Sequence, residues 1–120
     1  MWRFRDAVHH ALEGMGVAFT SEKSLRIQFG IFLIVLVVGL YLQISTEEFA
    51  IIIGISALVF SLELINTALE KSMDLISNGE YDEKIKVIKD ISAGAVLIAV
   101  IFAVIIGVLI LLPKILELLG

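Results

Sequence analysis

The chain has 120 residues, 59% of them hydrophobic, a net charge of −4 and no cysteine. Its mean hydropathy of +1.03 and its apolar share, above the ~45–50% of soluble domains, read as an integral membrane protein of one small domain. Missing cysteines exclude disulfides, thiolate metal sites and cysteine nucleophiles, and the mild acidity argues against a nucleic-acid partner.

Residues 1–20 read as an amphipathic surface helix. Phe4, Val8, Leu12, Met15 and Phe19 recur every three or four positions and share one stripe. Arg3, Arg5, Asp6, His9, His10 and Glu13 lie mostly off it. Such a helix suits a membrane surface or a protein surface equally well. Gly14 and Gly16 weaken it and mark a possible bend. The charged start lacks the compact apolar run of a cleavable signal peptide.

Ser21 is the expected cap of the next helix, with Glu22 in its first turn. The first span is expected over residues 25–43, its apolar core running from Phe29 to Leu42. Arg26 and Gln28 belong to the interface. A short polar turn follows, in which Thr46 is expected to cap the second span and Glu47 and Glu48 to fill its first turn. That span is expected over 49–69. Residues 70–90 read as a polar loop or helical extension, with Ser77-Asn78-Gly79 as a turn. The third span is expected over 91–112. Ala95, Ala99, Ala103 and Gly107 recur every four residues, a seam for close helix packing. Pro113 is expected to end it.

Eight of the nine Lys and Arg residues lie at or before the first span or between the second and third; only Lys114 is on the other side. The positive-inside rule then puts the N-terminus in the cytoplasm and the C-terminus outside.

One stretch departs from plain apolar spans. Val59–Asp74 carries Glu63, Asn66, Glu70 and Asp74. At ~100° per residue the first three fall within about 60° of one another, and Asp74 extends the same face. Glu63 lies deepest, where an unpaired charge costs ~2.5–3.5 kcal/mol or more. A carboxylate there is a candidate general base for a lipid hydroxyl. Glu22, Glu70, Asp74, Asp82 and Asp90 are hard oxygen donors suited to Mg²⁺ held partly by phosphates, and Lys89 can neutralise phosphate charge. The chain contains no Walker-type phosphate loop and no compact histidine metal motif. The residues alone lead to a membrane protein with a carboxylate site at the cytoplasmic interface. They leave open a structural hydrogen-bonding role for Glu63, an ion or proton pathway lined by it, and a structural membrane scaffold.

The run Glu63-Leu64-Ile65-Asn66-Thr67-Ala68-Leu69-Glu70, followed by Asp74, resembles the signature of the small prokaryotic lipid kinases, the diacylglycerol kinase and undecaprenol kinase family. Ala11–Gln28, with Glu22, resembles the family's entry segment, and Lys89–Leu97 its second block. The wording of these blocks and Leu112-Pro113-Lys114 is most similar to the Gram-positive branch, whose members resemble undecaprenol kinases. Met73 replaces the usual Val, and Asp82 stands where many relatives have His.

The resemblance implies an all-α homotrimer of three-span subunits in the bacterial cell membrane, each with a surface helix, and active sites built between subunits. It implies ATP- and Mg²⁺-dependent phosphorylation of a lipid alcohol, undecaprenol first and diacylglycerol as the alternative. Glu63 would be the base. Glu22 and Glu70 would hold the Mg²⁺ of ATP, with Asn66 in support. Glu80, Tyr81, Asp82, Lys89 and Asp90 would contact the nucleotide. Arg3, or the nearby Arg5, would approach the phosphates and lipid headgroup.

Overall fold

The computed structural model describes residues 3–120, all helical apart from short connections. Four helices follow in order: α1 (Phe4–Ser21), α2 (Lys23–Leu42), α3 (Thr46–Ser77) and α4 (Glu83–Leu119). The last three are long and apolar enough to cross a membrane. At ~1.5 Å per residue α4 alone is roughly 55 Å long, close to the 57 Å long axis of the molecule.

Packing is thin. Among the described residues no large side chain is fully buried, and Ile34, Val37, Leu40, Leu97, Ile98 and Leu109 are among the many large apolar residues more than half exposed. In water such a surface would aggregate; in hydrocarbon it is matched to its solvent. The most extensive contact is between α3 and α4. Val96 and Ala99 are buried there. Of the expected small-residue seam, Ala99 is buried, Ala103 and Gly107 are half-buried, and Ala95 is exposed.

The connections differ from expectation in instructive ways. Ser21 does not cap α2: it closes α1, its hydroxyl donating to the Ala18 carbonyl at 3.4 Å. Glu22 is the hinge, in extended backbone (φ −113°, ψ 109°) between the two helices. Arg26 braces that hinge by donating to the carbonyls of Phe19 and Thr20, both at 2.8 Å. These are C-terminal carbonyls of α1 that no helical partner satisfies. Gly14 and Gly16 produce no break, because α1 is continuous across them.

Ser45, not Thr46, caps α3. Its hydroxyl accepts from the Glu48 N–H at 3.1 Å, and Glu48 returns the bond to the Ser45 N–H at 2.9 Å, a capping box. The turn before it is tight. Gln43 is left-handed (φ 56°), and Ile44 folds back so that a Cβ on Gly39 would sit 2.9 Å from its Cδ1.

Helix α3 does not stop at Leu69, the expected end of the second span. It continues to Ser77, and only Asn78–Asp82 are non-helical. Asn78 (φ 55°) and Gly79 (φ 81°) make the left-handed turn, and the Asp82 carboxylate caps α4 by accepting from Lys84 N–H at 2.8 Å. Pro113 does not end α4, which runs through it to Leu119. Proline lacks one donor, a loss that apolar helices tolerate.

Candidate active site

The buried polar side chains among the described residues are Glu63, Asn66 and Thr67, all in one turn of α3. Glu63 is 7% exposed and Asn66 9%. Two residues of α2 face Glu63: Ser24 donates to Oε2 at 3.3 Å and Gln28 to Oε1 at 3.4 Å. Each carboxylate oxygen therefore has one long, weak donor. That leaves room for a stronger partner, since short charged hydrogen bonds lie near ~2.7–2.9 Å. Thr67 bonds back to the Glu63 carbonyl at 2.9 Å. Below this turn an aromatic cluster joins three helices. Phe60 packs on Phe29 and Phe32, and Phe29 meets Phe19 edge-on at 5.8 Å.

One turn further along, Asn66 donates to Glu70 Oε1 at 3.0 Å. Its own carbonyl Oδ1 is buried without a partner, as is Gln28 Oε1. Buried acceptors of this kind normally find a donor or cation. Asn66 and Glu70 thus present two hard oxygen donors side by side. No group of three or more His, Asp or Glu side chains gathers among the described residues. A full protein cage is absent there, but Mg²⁺ needs only one or two carboxylates when phosphates and water complete its shell. The donor set fits that ion.

Beyond Glu70 the α3–α4 turn forms a polar cleft of about 570 Å³. It gathers Asp74, Glu80, Tyr81, Asp82, Lys89 and Asp90. Lys89 donates to Asp74 at 2.9 Å and Lys86 to Asp90 at 2.7 Å. The bond to Asp74, then its charge, raises the Lys89 ammonium above its ordinary range, and the Glu70 charge adds to this. Tyr81 donates to Glu83 at 2.5 Å, a bond that raises its hydroxyl above the usual value. Both lysines of the cleft are already matched by carboxylates, so a polyphosphate would enter with its own divalent cation.

The structure therefore brings five of the expected nucleotide contacts, Glu80, Tyr81, Asp82, Lys89 and Asp90, into one cleft, with Glu70 next along the helix. Glu63 lies roughly 16 Å from Asp74 along the α3 axis, eleven residues at ~1.5 Å each. Glu22 sits half-buried at the α1–α2 hinge, two residues before Ser24. Arg3 is exposed at the N-cap of α1 and makes no side-chain cap. Ser24 and Gln28 were not expected as partners of Glu63. Their spacing of four, which puts both on one face of α2, is the only mark they leave in the sequence.

Comparison with known proteins places the chain in a family. The profile of the prokaryotic diacylglycerol kinase family matches residues 9–111, and the chain belongs to that family. It is 39% identical over 109 residues to a diacylglycerol kinase of Synechocystis sp., covering 91% of this chain and 62% of that one. It thus spans less than two thirds of that relative's length. An undecaprenol kinase of Bacillus subtilis is 36% identical over 112 residues, covering 93% of this chain and 90% of the relative. A diacylglycerol kinase of Escherichia coli is 31% identical over 103 residues, 86% of this chain and 84% of the relative. These relatives are named lipid kinases, and membership supports the same enzyme class, in a bacterial membrane, for this chain.

Proposed function

We propose that the chain transfers the γ-phosphate of ATP to the hydroxyl of undecaprenol. The observation that carries the reading is Glu63: a buried carboxylate, loosely held by Ser24 and Gln28, on the same helix face as Asn66 and Glu70. Phosphoryl transfer asks mainly for positioning and charge neutralisation, and this face offers both. Glu63 accepts the proton of the lipid hydroxyl. Glu70 and Glu22, with Asn66, would hold the Mg²⁺ of ATP, which would supply charge neutralisation for the phosphates. Lys89 leaves Asp74 for a phosphate oxygen, while Glu80, Tyr81, Asp82 and Asp90 line the nucleotide's cleft. Arg3 lies at the start of the surface helix α1 and meets headgroup or phosphate charge.

We place α1 on the cytoplasmic membrane surface, the N-terminus in the cytoplasm and the C-terminus outside, because the basic residues cluster on that side. A homotrimer completes the site, with Glu22 and Lys89 drawn from the same or adjacent subunits. Undecaprenol is favoured by the similarity to the Bacillus subtilis protein across most of both chains. Diacylglycerol is the second reading, favoured by the name of the Synechocystis relative.

Purified protein in mixed micelles, given ATP and Mg²⁺, should phosphorylate undecaprenol faster than diacylglycerol. Glu63→Gln should lower that rate by about 10²-fold or more, the usual scale of a positioned base. A faster rate on diacylglycerol would replace the acceptor. No turnover on either lipid, or ATP-independent ion flux through Glu63, would remove the kinase reading.

A further inference from the structure

Glu22 and Arg26 stand four apart, carboxylate before guanidinium, the order in which helix neighbours pair best. They do not pair. Arg26 turns back and donates from one nitrogen, Nη1, to the carbonyls of Phe19 and Thr20, at 2.8 Å each. Those carbonyls lie at the C-terminus of α1, where the helix dipole favours a cation. Among the described residues no cap bond and no ion pair holds the half-buried Glu22 carboxylate. The arginine spends its charge on backbone and leaves the neighbouring carboxylate uncommitted.

Glu22 is also the whole connection between α1 and α2. A change of about 10° there moves the far end of α1, roughly 27 Å away at ~1.5 Å per residue, by about 5 Å. Arg26 clamps this joint from the α2 side. Phe19, whose carbonyl it holds, packs its ring edge-on against Phe29 of α2, and Phe29 meets Phe60 of α3. Ser24, two residues past the joint, donates to Glu63. The clamp therefore fixes the Glu22 backbone relative to the turn that carries Glu63.

We propose that Arg26 is a positioning residue: by clamping the joint without pairing to Glu22, it directs that carboxylate and so sets the affinity for the divalent cation that accompanies ATP. The proposal rests on the reading of Glu22 as a ligand of that cation. Its test needs one readout for the joint and one for the metal. The chain has no cysteine, so Ala11→Cys and Leu40→Cys, both exposed, carry a spin-label pair across the joint, diluted with unlabelled protein. Arg26→Gln should broaden the α1–α2 distance distribution. Binding of Mn²⁺ with ATP, measured by electron paramagnetic resonance without lipid, should weaken about tenfold, the scale for losing a group that orients a metal ligand. The Mg²⁺ needed for half-maximal rate should rise to match, while kcat at saturating Mg²⁺ stays within about twofold of wild type.

Arg26→Lys keeps the charge and part of the reach, and should restore most of both readouts. Lys23→Gln removes an exposed charge beside the joint and should change neither. In a Glu22→Gln background, Arg26→Gln should weaken Mn²⁺ binding no further, because the two residues act through one carboxylate. Unchanged distances in Arg26→Gln overturn the proposal. So does a broadened joint with unchanged metal affinity, which leaves Arg26 a brace only. An equal effect of Lys23→Gln, or additive losses in the double variant, overturns it as well. Weakened Mn²⁺ binding without turnover of any lipid alcohol keeps the positioning role and removes the kinase. Turnover with metal affinity indifferent to Arg26 keeps the kinase and removes the positioning role.

Discussion

Lys89 shows how a single residue serves structure before it serves chemistry. Its ammonium bridges α4 to Asp74 of α3 at 2.9 Å, and the bond holds its pKa above the ordinary 10.5. A folded-state pKa that is raised adds stability fully present below the unfolded value and lost as pH rises through the folded one. The contribution therefore disappears above about pH 10.5 and stands intact at neutrality. Asp74→Asn should lower stability at pH 8, narrow the gap to wild type as pH climbs past 10.5, and bring the Lys89 titration seen by NMR back toward its ordinary value. A gap that stays constant through that range would show that the pair does not contribute. Glu63, Asn66 and Glu70 were legible as a set in the sequence, because depth in an apolar helix makes every carboxylate conspicuous. Ser24 and Gln28 were not. A serine and a glutamine at a helix entrance are ordinary interfacial residues until the packing of α2 on α3 points them at Glu63.

At the scale of elements, hydropathy marked where the spans are but not where the helices stop. Leu69 is followed by a charged run, yet α3 continues through Lys71 and Asp74 to Ser77. Backbone hydrogen bonds do not end where apolar side chains do, and Glu, Lys, Met and Leu are all good helix formers. The true stop is the left-handed pair Asn78-Gly79, which the sequence did announce. Pro113 misled for a related reason. A proline removes one donor but does not bar the residues beyond it from helical geometry, and α4 goes on to Leu119. The α2–α3 turn is the least forgiving element. Gly39 lies under Ile44 and Phe49, with a notional Cβ at 2.9 Å from Ile44 Cδ1 and 3.1 Å from Phe49 Cε1. Gly39→Ala should cost about 1–3 kcal/mol, the range for overpacking, despite the better helix propensity of alanine. Detergent-titrated unfolding of the purified variant would measure it. A neutral or stabilising result would mean the turn relaxes, and the tight packing there would carry no weight.

For the whole molecule, two charge patterns support one orientation. Glu48 and Lys114 lie near enough that the lysine's charge helps hold the Glu48 carboxyl low, after the larger effect of its bond to the Ser45 N–H. The α2–α3 turn and the end of α4 therefore share one side of the bundle, while the α3–α4 turn, with Lys84, Lys86 and Lys89 just beyond it, lies at the other end of both helices. The basic side carries the polar cleft, and on the proposed reading ATP would reach it from the cytoplasm. The chain has no cysteine, so single-cysteine variants report the side without background. In right-side-out vesicles, Glu47→Cys should react with a membrane-impermeant maleimide from outside. Asn78→Cys, in the exposed α3–α4 turn, should react only after the vesicles are opened. Both positions labelling from outside would mean a mixed or leaky population. The reverse pattern would put the cleft on the side without ATP, and the proposed phosphoryl transfer would then fail at the scale of the membrane whatever the geometry around Glu63.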